Sequence, residues 1–143
     1  VTVLELPLTT ESVPAARRFV RDLMLDSDSV ADLDTASLLV TEIVTNAVLH
    51  AVAPMKLRVE VSADVVRIEV RDGSQLQPRV HAFSATAATG RGLRLLESLA
   101  VRWGVRPEPD GGKAVWFEVG ASSESAWEVA AGDWLDDVVL GDF

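Results

Sequence analysis

Residues 38–50 read Leu-Leu-Val-Thr-Glu-Ile-Val-Thr-Asn-Ala-Val-Leu-His. Leu38, Leu39, Val40, Ile43, Val44, Ala47, Val48 and Leu49 are apolar, too many for one narrow stripe, so this segment is predicted to be a helix buried on most sides. The helix should run from about Leu33 to Ala51, where Pro54 stops it. Glu42, Asn46 and His50 nevertheless recur every four residues and stack on one face. A carboxylate, an amide and an imidazole on a buried helix need polar partners. A solvated stripe on a helix that packs by its other faces accounts for the same spacing.

Outward from this helix, short alternating segments predict strands. Residues 1–8 form one, with Pro7 marking an edge or terminal position. Ser12 looks like an N-cap with Pro14 in the first turn, and Ala16, Phe19, Val20 and Leu23 carry a helix to about Leu25. Leu57, Val59 and Val61, then Val66, Ile68 and Val70, alternate with charged residues and predict a hairpin. A third helix is expected over Arg91–Ala100, a strand over Val101–Val105, a turn at residues 107–112 and a last strand through Val115, Phe117 and Val119. Residues 73–90 have no clean period and are rich in small and polar types, and a loop of that length is usually functional or mobile.

Two further features carry chemistry. Asp72 has the parity of Val66, Ile68 and Val70, so it points to the apolar face at a strand end, followed by Gly73. An Asp-Gly turn in which Asp72 caps loop amides is the simpler alternative. Thr89-Gly90-Arg91-Gly92-Leu93 opens a helix, where two glycines and free amides suit a phosphate. Alone, this last signal is weak, being neither a P-loop nor a dinucleotide fingerprint.

In order and content these features resemble the GHKL ATPase superfamily, the histidine-kinase-like ATPases, and most closely the anti-sigma-factor serine kinases and their stand-alone actinobacterial relatives. Glu42-Ile-Val-Thr-Asn46-Ala-Val-Leu-His50 is similar to that group's N box, Asp72-Gly-Ser74 to its G1 box, Gly90-Arg91-Gly92-Leu93 to its G2 box, and Asp110-Gly-Gly-Lys113 to its final glycine turn. The resemblance spans roughly residues 1–119. It implies a Bergerat-type two-layer α/β sandwich, with three helices on one face of a mixed, mainly antiparallel sheet. It also implies ATP and magnesium as cofactors. Glu42 would be the general base, Asn46 the magnesium ligand, and His50 a group near the phosphates or a support of its helix. Asp72 would accept from the adenine amino group. Gly90, Arg91, Gly92 and Leu93 would close over the phosphates, with residues 73–90 as a lid. The superfamily's G1 box is D-x-G-x-G, and here its glycine positions hold Ser74 and Leu76. Lys113 stands where many members have Thr. It shares parity with Val115 and could reach a phosphate in the cleft or cap a neighbouring loop.

The implied function is an ATP-dependent serine kinase that phosphorylates an anti-sigma-factor antagonist and controls a sigma factor by partner switching; relatives of this kind are often homodimers. The alternative is a regulatory module of the same fold that acts by protein contact alone. The ATPase half of a histidine kinase is the disfavoured third reading, because the 143 residues hold no dimerisation helix pair with a phosphoacceptor histidine.

Composition agrees with one domain. Without cysteine there is no disulfide or thiolate metal site, which fits a reducing, cytoplasmic setting. No apolar leader precedes Glu5, so no signal peptide is expected, and no apolar run approaches the roughly 20 residues of a membrane span. The net charge of −9 argues against nucleic acid as a partner. That charge is concentrated: residues 120–143 contain six acids and no Lys or Arg, whereas residues 1–119 hold 13 basic and 16 acidic residues. A domain boundary is therefore expected at Gly120, before an acidic tail with Trp127, Ala131, Trp134 and Val138 at helical spacing. Strand parity puts Lys56, Arg58, Arg67, Arg71, Arg102 and Arg106, with Glu60, Glu69, Glu118 and Trp116, on the sheet face that the helices leave open. The tail could dock there, remain solvated, bind a partner or exchange across a dimer.

Overall fold

A computed structural model describes residues 1–51, 54–72, 90–109 and 112–122, with residues 90–93 as backbone only. Its elements are β1 (Thr2–Leu6), α1 (Ser12–Leu25), α2 (Leu33–His50), β2 (Met55–Val61), β3 (Val66–Asp72), α3 (Gly90–Leu99), β4 (Arg102–Pro107) and β5 (Lys113–Val119). The expected lid, Ser74, Asp110, Gly111 and the tail from residue 123 lie outside the described residues.

The five strands form one sheet in the order β1-β2-β3-β5-β4. Every pairing among them is antiparallel, so the parallel component of the expected mixed sheet is not found there. The reason is topological. β3 and β4 run the same way and are joined through α3, but β5 lies between them. It pairs antiparallel with both, in place of one parallel contact.

The core lies between this sheet and the helices. α1 packs against α2 and β2, α2 against β3 and β5, and α3 against α2 and β4. Strand alternation sends Met55, Leu57 and Val59, then Val66, Ile68 and Val70, then Val115, Phe117 and Val119 to the buried side. Ala36, Leu39, Val40, Ile43 and Val44 of α2 meet them. Of the α2 residues only Asp34 and Leu49 are exposed, so the helix is at least partly covered on most sides, as its apolar content predicted.

The helix starts differ in mechanism. Ser12 is not the N-cap of α1. Glu11 holds that position with no side-chain cap bond, and the Ser12 hydroxyl instead donates to the Pro7 carbonyl at 2.5 Å. The Ser12 and Val13 amides already donate to the Thr9 and Thr10 carbonyls, so the turn before α1 satisfies donors that a cap would have taken. α2 has a true cap. Asp32 Oδ1 accepts from the Asp34 and Thr35 amides at 3.1 and 3.4 Å, and Oδ2 accepts from the Thr35 hydroxyl at 2.7 Å.

On the opposite sheet face, Trp116 lies across Gly104 of the neighbouring strand. A Cβ at Gly104 would stand 2.8 Å from the indole nitrogen, so only glycine admits the ring there. The Arg67 guanidinium sits 4.2 Å from the ring centroid. Glu118 accepts from Arg67 at 2.9 Å and from Arg102 at 2.7 Å, which ties β3, β5 and β4 together. Glu69 pairs with Arg106 and Arg58, and Glu108 with Arg71 and Arg106.

Two outcomes follow from these contacts. Asp32→Ala should lower the free energy of urea unfolding by about 1–2 kcal/mol, because the α2 amides lose their acceptor. Burial pushes the Glu118 carboxyl up, but hydrogen bonds from Arg102 and Arg67 outweigh it and hold the group below its ordinary value. Its stabilisation is therefore complete above the unfolded-state value and is lost as pH falls through the folded-state value. Urea unfolding of Glu118→Gln at neutral and acid pH should show a smaller acid-induced loss than the wild type.

Candidate functional site

α2 crosses the sheet so that its C-terminal half passes the ends of β3 and β5. Register sets Asp72, the last residue of β3, directly opposite Lys113, the first of β5. Both side chains project to the helix side, as their parity with Val70 and Val115 requires. The space between α2 and these strand ends is a cleft of about 410 Å³, part of it open to solvent. Ile43, Ala47 and Ala51 line it from α2 and its C-cap, and Val70 and Val115 from the sheet. Asn46, His50, Asp72 and Lys113 supply the polar groups. The combination of an apolar floor and a few convergent polar groups is the usual form of a small-molecule site.

The cleft forms because the helix carries small residues where it faces the strand ends. Ala47 and Ala51, one turn apart, hold α2 against the sheet without filling the gap. Asn46 and His50, on adjacent turns, flank that alanine face. Both are half-buried, as is Glu42 on the same face.

Asp72 is 9% exposed, and its Oδ2 lies 3.7 Å from Lys113 Nζ. Asp72 is therefore an inward-facing carboxylate in the cleft wall, and Lys113 reaches into the same cleft. The two form a loose ion pair beside the apolar floor.

The remaining expected residues are placed as follows. Glu42 is half-buried one turn before Asn46 on α2 but is not among the residues that line the cleft. Gly90, Arg91, Gly92 and Leu93 form the first turn of α3, a helix that packs directly on α2. Ser74 lies outside the described residues. The sequence reading missed Ile43, Ala47, Ala51, Val70 and Val115 as lining residues. The four-residue spacing of Ala47 and Ala51, each directly after Asn46 and His50, was the available signal for two of them.

Among the described residues no three His, Cys, Asp or Glu side chains are grouped as a metal cage would need. A cation here would have to share oxygen donors with a ligand, which magnesium does readily with phosphates. The Asn46 amide oxygen is a suitable hard donor for that arrangement.

Residues 6–119 match the family model described as a histidine kinase-like ATPase domain. The chain belongs to the histidine kinase-like ATPase family. No curated protein matches it. The antiparallel sheet with helices on one side is consistent with this ATPase fold. No described helix of this ATPase domain is long and apolar enough to cross a membrane.

The Asp72–Lys113 pair can be measured. In urea unfolding, a double-mutant cycle of Asp72→Asn and Lys113→Met should return a favourable coupling of about 1 kcal/mol, at the upper end of the range for exposed pairs. Strictly additive effects would mean that the two side chains do not interact in solution.

Proposed function

We propose that the cleft binds ATP with magnesium and that the protein is a cytoplasmic serine/threonine kinase of the anti-sigma-factor type. The observation that carries this reading is the convergence of Asp72, from a strand end, and Asn46, from α2, on one apolar-floored cleft. Adenine needs a flat apolar slot and an acceptor for its amino group. Ile43, Ala47, Val70 and Val115 provide the first and the Asp72 carboxylate the second.

Asn46 would hold magnesium, which would supply charge neutralisation to the phosphates. His50 and Lys113 add donors at the cleft's polar rim. Lys113 also pairs with Asp72, so adenine must share or displace that contact. The first turn of α3, at Gly90–Leu93, offers amides for phosphate oxygens. Glu42, one turn from Asn46, takes the proton of the attacking hydroxyl as general base. Phosphoryl transfer depends chiefly on positioning and charge neutralisation, so this small set of groups is enough. The acceptor is a serine of an antagonist protein. The regulated partner is a sigma factor, and the working form is a homodimer.

One observation favours a second reading. Glu42 is not among the cleft-lining residues, and a chain without a placed base could act by nucleotide-gated or nucleotide-independent protein contact. Thermal unfolding and labelled ATP separate the two. ATP with magnesium at about ten times its Kd should raise Tm by about 5 °C. Asp72→Asn should lose the shift, because an amide can turn its donor toward the adenine amino group. Glu42→Ala should keep the shift and lose phosphoryl transfer to the antagonist. No shift at millimolar ATP would favour the contact-only module. Equal transfer by wild type and Glu42→Ala would remove Glu42 as the base.

A further inference from the structure

We propose that the C-terminal segment, residues 123–143, docks in cis across the outer face of the sheet, over β3, β5 and β4. This inference is independent of the nucleotide-binding reading. The three described helices all lie on the other face. The outer face nevertheless has the make-up of a recognition surface. Trp116 lies at its centre, flat over Gly104, with the Arg67 guanidinium against the ring. Around it stand Arg58, Arg71, Arg102 and Arg106, whose side chains are 41–70% exposed.

The charges on this face differ from the parity count of six positive and three negative. Glu108, just beyond β4, bonds Arg71 and Arg106, and Glu5 faces Lys56 across the β1–β2 pair. The positive excess therefore belongs to the β3–β5–β4 half rather than to the whole face. There, among the described residues, four arginines, Arg67, Arg71, Arg102 and Arg106, together with Arg58 of the adjoining β2, are served by three carboxylates, Glu69, Glu108 and Glu118, each shared between two guanidiniums. Arginines that share a carboxylate retain donors and flat faces for a second anion or an aromatic ring.

The segment beyond Ser122 has the matching chemistry. It contains six acids, no Lys or Arg, and the row Trp127, Ala131, Trp134 and Val138 at one-face helical spacing. Its point of departure also fits. The chain leaves at the end of β5, the strand that carries Trp116 and Glu118. Ala121 is pinned to Ala31, and the Gly120 carbonyl accepts from the Asp32 amide at 2.8 Å. Three strands span roughly 10 Å at the usual interstrand spacing, far less than the segment's extended reach of about 70 Å. Trp127 and Trp134 stack on the exposed arginine planes around Trp116, and the acids take the donors that Glu69, Glu108 and Glu118 leave. Arginine–tryptophan contacts resist salt better than exposed ion pairs, so the aromatic residues fix the position and the acids supply attraction.

Amide hydrogen exchange on the full chain tests this, against a chain ending at Ser122 and a full-length Trp127→Ser/Trp134→Ser variant. Docking predicts at least tenfold faster exchange over Arg102–Pro107 in both variants, with unchanged rates in α1. Adding a peptide of residues 123–143 to the shortened chain should restore protection. The double variant keeps the test valid if the shortened chain does not fold. Equal exchange in the full chain and the double variant would overturn the proposal. Protection that rises with protein concentration would also overturn docking in cis and assign the surface to a second copy's tail. Protection that appears only when an acidic partner is added would assign it to that partner.

Discussion

An apolar helix laid on a sheet cannot also bury an amide and an imidazole unless the sheet offers them a polar edge. In this protein that edge is made by two strand ends. β3 finishes and β5 begins at the same level, and antiparallel pairing sets Asp72 against Lys113 beside the C-terminal half of α2. Placing β5 between β3 and β4 is what creates this edge. Were β3 paired instead with β4, the first residue of β5 would not face Asp72, and the cleft would lose its cation.

The two faces of the sheet are held by different physics. The inner face is stabilised by burial of Leu57, Ile68, Phe117 and their neighbours against α1, α2 and α3, a non-directional effect that tolerates local gaps. The cleft is such a gap, left open by Ala47 and Ala51. The outer face is held by directional contacts, with guanidiniums forked over carboxylates and a ring seated on a glycine. Those contacts tie β4 to β3 and β5, the two strands that line the cleft from the sheet side. Rigidity on one side thus supports a site on the other.

Much of the architecture was legible in the sequence, for physical reasons. Alternation in residues 55–61, 66–72 and 113–119 was clean because one face of each strand is buried, so parity placed Asp72 and Lys113 on the helix side. The Glu42–Asn46–His50 stripe was visible from spacing alone, but spacing could not tell which members reach the cleft. That depends on how α2 is rotated on the sheet, and the rotation leaves Glu42 outside the lining. Ser12 misled because a hydroxyl before a helix can cap it or tie down the preceding loop, and local sequence does not distinguish the two. The antiparallel character of the whole sheet was hidden because strand order depends on long-range pairing. The extra outer-face acids were hidden for a related reason: Glu108 lies beyond a strand end and Glu5 on a strand whose partner was unassigned.

The central claim is that one cleft, between α2 and the ends of β3 and β5, receives ATP. The most direct measurement is a heteronuclear NMR titration with magnesium and a non-hydrolysable ATP analogue. The account predicts saturable shifts with one Kd at Asn46, Ala47, His50, Asp72 and Lys113, while the Trp116 indole on the opposite face stays in place. Unmoved resonances at those five residues under saturating analogue, or shifts centred on Trp116, would contradict it.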